Sequence, residues 1–546
     1  MTPLADEGAL AISVFLVFLA GCLFVSMLAS PDLQEGADDF LAEQGNRRPL
    51  PQGLALTGDF ISAAGVLYFC GVVAVGSYDG ILIVAAAALS PLLLKVWLAE
   101  RLPAGPGWSL GDAVSRRLPA GPARRAAGVA TLVVSVPLLT AQLIPIGQIT
   151  AALMGLPGQL GEIAGITLVG ILIVSCVAIG GVRGSTLLQI VKTVGFLLIA
   201  PLLCALILAR FDWDYGAVLA QAAQGSGVGD AYLAPGRLFG SDFTGRLDTL
   251  SLAVTVLLGT ALMPHMVTRL STSGTAERAR RATSWAVAAA CMLCVSAAVI
   301  GYGIQAVVGA KGLDEAGPQG GNNLLLLAAA LDGSDPDSPG NPGLLLTFIS
   351  CAFFLTVLAS VSVLLLAGSA AIVHDMGRNR HARPGTGPPH RPLRARVALV
   401  AVGAVCIALA VAGRGANAQF WLTLSYTEAA TVVLPALACA LTWRGPRGFT
   451  LRGLRWCVYG GTLVTLGLLA LSPAVSGSPD SVHPDGDWAV FPLYAPGLLS
   501  VPVGFLLAWA GTRLTPAARA NPAAPSRPQQ PGAADDLLSG SGTHRR

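Results

Sequence analysis

The sequence predicts an all-α, polytopic membrane protein of about thirteen transmembrane helices. Three observations predict it. Charged residues make up 12% of the 546 residues and apolar residues 53%, against roughly 25% charged in an ordinary soluble domain. Apolar runs at or above the ~20 residues that cross a bilayer recur along the whole chain. Arginines crowd every second connection between those runs, the pattern that cytoplasmic loops show.

The first run, Ala9–Leu28, has Asp6 and Glu7 ahead of it and an acidic stretch behind it. With no basic leader and no cleavage site it reads as a retained helix rather than a signal peptide. The further runs are Leu54–Gly76, Gly80–Leu98, Arg125–Met154, Leu160–Val182, Leu187–Leu208, Leu247–Met266, Thr283–Val308, Gly343–Val373, Arg394–Ala412, Phe420–Leu441, Trp456–Leu471 and Phe491–Thr512. The long connections 209–246 and 309–342 carry acids such as Asp212, Asp214, Asp314 and Glu315, and 472–490 is rich in Ser, Pro and Asp. The Pro/Ala/Ser-rich tail from Thr515, ending His544-Arg545-Arg546, has the composition of a disordered segment. These features divide the chain into residues 1–53 (outer N-terminus, first helix and link), a core over 54–441, two helices over 442–514, and a tail over 515–546.

The connections after odd-numbered runs hold 22 arginines; those after even-numbered runs hold Arg210, Arg237, Arg246, Lys311 and Arg414. The unbroken alternation predicts an N-terminus outside and a C-terminus in the cytoplasm, in the cytoplasmic membrane. The lipid bilayer is thus the expected partner, with no nucleic-acid module visible and no protein partner implied. The ten cysteines fall almost entirely inside the runs, where thiols behave as small apolar residues. Cys291 and Cys294 form a CxxC with no second pair, which reads as helix packing rather than metal or redox chemistry.

Ten runs remain once the first and the last two are set aside, and they fall into two fives of opposite orientation. The third of each five is the longest, Arg125–Met154 and Gly343–Val373, about 45 Å each and suited to a steep tilt. The first of each five is interrupted, by Gly58, Gly65 and Gly71 in one and by Gly259 and Pro264 in the other. Interrupted segments in matching places of two inverted halves point to the site of a secondary transporter, although Gly and Pro are frequent in transmembrane helices generally.

The interruption Gly58-Asp59-Phe60-Ile61-Ser62-Ala63-Ala64-Gly65 carries a carboxylate deep in an apolar run. Such a group is costly unless paired or wetted. Small neighbours let the helix unwind, and freed carbonyls can then hold a cation. Other charges inside runs are Lys192, whose place near the inner face suggests snorkelling, and Glu428, which suits a gate, a proton carrier or an ion-pair partner. Asp79 reads as part of a turn.

These residues resemble the sodium:solute symporter family, in its acetate permease (cation/acetate symporter) branch. Asn46-Arg47-Arg48 with 58–64 resembles the first core helix. Ala141-Gln142-Leu143-Ile144 with Met154-Gly155-Leu156 resembles the third. Further likenesses are Gly180-Gly181-Val182-Arg183 with Gln189–Lys192, the Pro264-His265…Arg269 stretch, Gly320-Gly321-Asn322-Asn323, and Ala367–Ala370 with His374-Asp375. The resemblance runs from about residue 35 to 512. It implies a LeuT-like core of five plus five inverted helices, one extra helix before it and two after, and sodium-coupled uptake of a small solute.

The resemblance further implies a cation site between the first and eighth core helices. Its members here are the carbonyls near Gly58 and Ile61 and the positions Thr356, Ala359 and Ser360, with Asp59 adding charge. Ala359 stands where much of the family has a hydroxyl, which leaves a proton on Asp59 as an alternative coupled ion. Thr356 and Ser360 can instead back-bond to a carbonyl one turn earlier. A carboxylate solute would sit at the half-helix N-termini, near Ser62, Ala63, Ala64, Gly65, Tyr68, Gln142, Met263 and His265. His265 suits an anion partner when protonated, or a structural hydrogen bond.

The expected function is secondary symport of a short monocarboxylate such as acetate, with sodium or protons and no resident cofactor or metal. Proline, another amino acid or a pantothenate-like acid are alternative solutes, and a transporter-like sensor is a further class. No HExxH, nucleophile elbow or phosphate-binding loop is present, which argues against an enzyme.

Overall fold

A computed structural model describes residues 49–102, 109–116, 118–153, 158–315, 323–332, 344–377, 391–415, 418–443, 448–478 and 481–515, with a few positions in 17–24. The expected first helix Ala9–Leu28 lies largely outside the described residues, and Met154-Gly155-Leu156, Gly320-Gly321-Asn322 and the tail beyond Thr515 lie outside them altogether.

The run expected at Leu54–Gly76 is two helices, α1 (Pro49–Phe60) and α2 (Ala63–Gly76), bent by 62° at Ile61-Ser62. Ser77, at φ 47°, turns the chain into α3 (Tyr78–Leu93), which continues through a π turn to Arg101. Asp79 is more than a turn residue. It is buried in the first turn of α3, and its carboxylate accepts from the backbone N–H groups of Gly236 and Leu238. It thus straps the 209–246 connection to the bundle, a task shared by Tyr232, whose hydroxyl donates to the Ala74 carbonyl at 2.7 Å.

A short α4 (Leu110–Val114) precedes the long α5 (Ala120–Leu153). The runs Leu160–Val182 and Leu187–Leu208 are two helical arms that meet at a kink at Gly181 and are named together α6 (Gln159–Arg210). The connection expected there shrinks to one residue because Gly181 takes φ 55°, ψ −155°, a conformation essentially only glycine adopts. The 209–246 connection carries α7 (Tyr215–Gly225). Beyond it, α8 (Phe243–Ala261) and α9 (Pro264–Ser271) are separated at Leu262-Met263, where Pro264 opens the second piece. Pro at the first helical position is pre-set for a helix start and lacks an N–H to satisfy.

The remaining helices are α10 (Ala276–Val307), α11 (Asn323–Asp332), α12 (Leu344–Ala370), α13 (Arg391–Ala412), α14 (Ala418–Glu428), α15 (Leu434–Thr442), α16 (Leu451–Arg455), α17 (Gly461–Ala470) and α18 (Gly497–Arg513). Pi turns follow α12, α14 and α16. The last helix begins six residues later than expected, since Phe491–Pro496 includes two prolines and is not helical. Among the described residues nine helices are long and apolar enough to cross a membrane, or ten with the bent α1–α2 pair. The architecture is all-helical, as the composition predicts.

The broken pair lies in the middle of the bundle. α1 packs on α6 and α10, and α12 touches both halves of the break. A Cβ on Gly58 would lie 2.7 Å from the Gln189 carbonyl oxygen and 2.8 Å from Thr193 Oγ1. Glycine is therefore what lets α1 and α6 approach so closely.

Candidate functional site at the helix break

The break has a local cause. Ser62 adopts an extended conformation (φ −111°, ψ 148°) and caps α2, its Oγ accepting from the Gly65 N–H at 3.0 Å. Small polar residues favour that cap position because they satisfy an orphan donor. In a continuous helix the Gly65 N–H would serve the Ile61 carbonyl, and the Ala64 N–H would serve that of Phe60. Here the Ala64 N–H turns to Gln142 Oε1 on α5, at 3.1 Å, and the carbonyls before the break are released for other partners.

What they meet is Lys192. Its Nζ donates to the carbonyl oxygens of Gly58 at 2.5 Å and Ile61 at 2.8 Å, and to Ser360 Oγ on α12 at 3.1 Å. The snorkelling expected of this lysine does not occur: the residue is 1% exposed. Its stem descends through the interior, and its head lies between the break and α12. The side chains of Thr186, Gln189, Lys192 and Thr193 line one buried stripe of α6, with Gln189 Nε2 donating to the Ala359 carbonyl at 3.1 Å and Thr193 Oγ1 to that of Leu54 at 2.9 Å. The structure therefore brings Gly58, Ile61, Ala359 and Ser360 together around α6. Thr356 back-bonds to the Ala352 carbonyl at 2.6 Å, whereas Ser360 reaches across to the Ile61 carbonyl at 3.4 Å.

Asp59 points elsewhere. Its fully buried carboxylate is held by Arg269 of α9, Nε to Oδ2 and Nη2 to Oδ1, the second at 3.2 Å. Arg269, counted among the loop arginines in the sequence, is 13% exposed and ion-paired. His265 is buried one turn before it, its Nδ1 without a hydrogen-bond partner, and its charged neighbours are Asp59, Arg269 and Lys192. The cluster thus holds two cations and one carboxylate.

Above the break, several polar atoms stand ready. Gln142 Nε2 and the Tyr68 hydroxyl are buried without partners. The Tyr426 hydroxyl on α14 pairs with the Ser62 side chain. Met263, at the second break, receives a weak contact from Ser425 Oγ at 3.9 Å. A largely apolar cavity of about 70 Å³ opens beside the break, with Phe60, Ser62, Gly65, Phe69, Phe196 and Phe353 among its walls. That exceeds the ~10–15 Å³ one water needs and falls short of the ~150 Å³ that admits benzene. Of the residues expected near a solute, Ser62 and Gly65 line it; Ala63, Ala64, Tyr68, Gln142, Met263 and His265 do not.

Glu428 stands apart. It is fully buried at the end of α14, where Thr462 of α17 donates to Oε2 at 3.2 Å and Oε1 has no partner. No basic side chain pairs with it among the described ion pairs. The His374-Asp375 stretch binds the connection that holds α4: His374 Nε2 lies 3.1 Å from both Asp112 oxygens, and Ser109 Oγ donates to Asp375 at 2.5 Å.

The profile of the sodium:solute symporter family matches residues 40–446. The chain belongs to that family. The chain is 31% identical over 514 residues to the monocarboxylic acid transporter of Corynebacterium glutamicum, covering 92% of this chain and 91% of that one. It is 28% identical over 506 residues to symporter YwcA of Bacillus subtilis, covering 92% and 94%. Among solved structures it resembles a Na⁺-coupled sialic acid symporter in a substrate-bound outward-open state, with a TM-score of 0.67 at 15% identity, over 93% of this chain and 98% of that one. That likeness is one of fold, and it agrees with the LeuT-like core expected. A multi-pass membrane transporter follows from the family.

Two residues that the structure places at the break, Lys192 and Arg269, are not among the site residues that the sequence suggests. Lys192 was assigned to the inner face, although Thr186, Gln189, Lys192 and Thr193 recur at three- and four-residue steps, the mark of one polar helix face turned inward. Arg269 was assigned to a loop, although Asp59 required a buried partner and few in-span cations were available.

Proposed function

We propose that this symporter takes up a short monocarboxylate such as acetate by alternating access, coupled to inward cation flow, sodium or protons. The carrying observation is the charge balance at the break. Asp59 is neutralised by Arg269, while Lys192 enters no described ion pair, so one positive charge awaits an anion. The N-terminus of α2 adds a favourable dipole end, and the unpartnered Gln142 Nε2 and Tyr68 hydroxyl are donors beside it. A carboxylate satisfies all three needs. Alanine and glycine at 63–65 favour a solute of few atoms, and the relationship to a monocarboxylic acid transporter supports the same class.

In this reading Ser62, Ala63, Ala64, Gly65, Tyr68, Gln142, Met263 and His265 face the solute. Gly58, Asp59, Ile61, Thr356, Ala359 and Ser360 form the cation side, and Glu428 serves as a separate gate or proton carrier. The test is uptake of labelled acetate into proteoliposomes under imposed sodium or proton gradients. Propionate and pyruvate should compete; proline and pantothenate should not. Absence of accumulation under every gradient, or competition by proline in place of propionate, refutes the reading.

A further inference from the structure

We infer that the Lys192 ammonium is the resident cation of the site between the α1–α2 break and α12, and that sodium neither binds there nor drives uptake. The inference rests on the monocarboxylate reading for its transport arm only.

An ammonium has three N–H donors, and Lys192 aims them at three oxygens, those of Gly58, Ile61 and Ser360. These are the oxygens the family resemblance assigns to a transported cation. The other expected ligands are committed elsewhere. The Ala359 carbonyl accepts from Gln189 and position 359 has no hydroxyl to offer, while the Thr356 hydroxyl turns its hydrogen to Ala352 and makes no bond to the α1–α2 break. A hard cation is usually enclosed by about six oxygens. Here three are taken by a charged group, and among the described residues the unpartnered Gln189 Oε1 beside Gly58 is one further oxygen, which leaves the place well short of that number. A second positive charge about 4 Å from the ammonium would be bound on the order of a thousandfold more weakly. Asp59 does not offset this, because its carboxylate is spent on Arg269.

The arrangement replaces a solute by a side chain. A site that loads an anion together with sodium carries no net charge from the pair. A tethered ammonium gives the same balance with the anion alone, and it remains when the anion leaves. It also staples α1, α6 and α12 through one group, so these helices need no bound ion to hold their places. The charged and titratable groups facing Lys192 are Asp59 from α1 and Arg269 and His265 from α9.

The test uses the purified full-length protein. Its melting temperature is measured in NaCl and in choline chloride of equal ionic strength, and initial uptake of labelled acetate is followed in proteoliposomes with the same salts outside at zero membrane potential. The expected result is no sodium-specific rise in melting temperature and an uptake rate that changes by less than about twofold on sodium removal. Lys192→Met should lower uptake roughly tenfold or more. A saturable sodium requirement in the wild type, a sodium-specific rise in its melting temperature, or wild-type uptake by Lys192→Met overturns the inference. The wild-type arms decide it even if that variant does not fold. Failure to accumulate acetate under any gradient refutes the solute reading instead, and the melting arm then still decides the place of sodium.

Discussion

Arg269 grips the Asp59 carboxylate with two donors, from a helix 210 residues further along the chain. The pair is buried, and both partners sit at helix interruptions, Asp59 just before the α1–α2 break and Arg269 in the piece that follows Pro264. It links the two broken helices directly. Removing one member of such a pair leaves an uncompensated buried charge, at about 3–5 kcal/mol. Asp59→Asn and Arg269→Gln should each lower the melting temperature of the purified protein and abolish uptake, while the double variant should be less destabilised than their sum. Strict additivity in that cycle would show that the two residues do not interact.

Gly58→Ala adds a methyl group where the Gln189 carbonyl and Thr193 hydroxyl already stand. The helices must part or shift, which costs about 1–3 kcal/mol and moves the Gly58 carbonyl away from Lys192. Uptake should fall much further than surface expression does. Equal uptake per folded molecule in Gly58→Ala and wild type would refute the close approach.

Gln142 has one amide oxygen on the Ala64 N–H and one unpartnered amide nitrogen. Gln142→Leu loses both groups and should raise the KM for acetate by about tenfold, the scale of one hydrogen bond to a charged ligand. Gln142→Glu keeps an acceptor for Ala64 but brings a negative charge to the anion, and it should be the worse of the two. The comparison is made by initial-rate kinetics on vesicles carrying each variant.

Gly181 bends α6 with a positive φ. Gly181→Ala should destabilise the protein by about 1–3 kcal/mol, read as a lower melting temperature. A straight helix there would also displace the Gln189–Thr193 stripe, so uptake should fall with it. Unchanged stability would mean that the kink is dispensable.

Much of the architecture was readable from local pattern. Low charge, long apolar runs and alternating arginines sufficed for an all-helical membrane protein, because lipid forces each span to satisfy its own backbone. The interruption at 58–65 was legible too, since a serine, small residues and a stray carboxylate mark an unwound segment wherever they occur in an apolar run. Pro264 announced the second break in the same way.

What the local pattern could not supply was who meets whom. Lys192 lies 134 residues from Gly58 and 168 from Ser360, and its reach to the break depends on how α6 is rotated and bent. Seen alone, a lysine near one end of a span is as well explained by snorkelling, and an arginine after a span by the loop it enters. Only the packed bundle, by burying both and leaving the Ile61 carbonyl in want of a donor, decided that the ammonium goes to the break and the guanidinium to Asp59. The physical reason is range: hydropathy and capping act within a few residues, whereas the pairing of buried charges is settled by neighbours that the chain brings together from far apart.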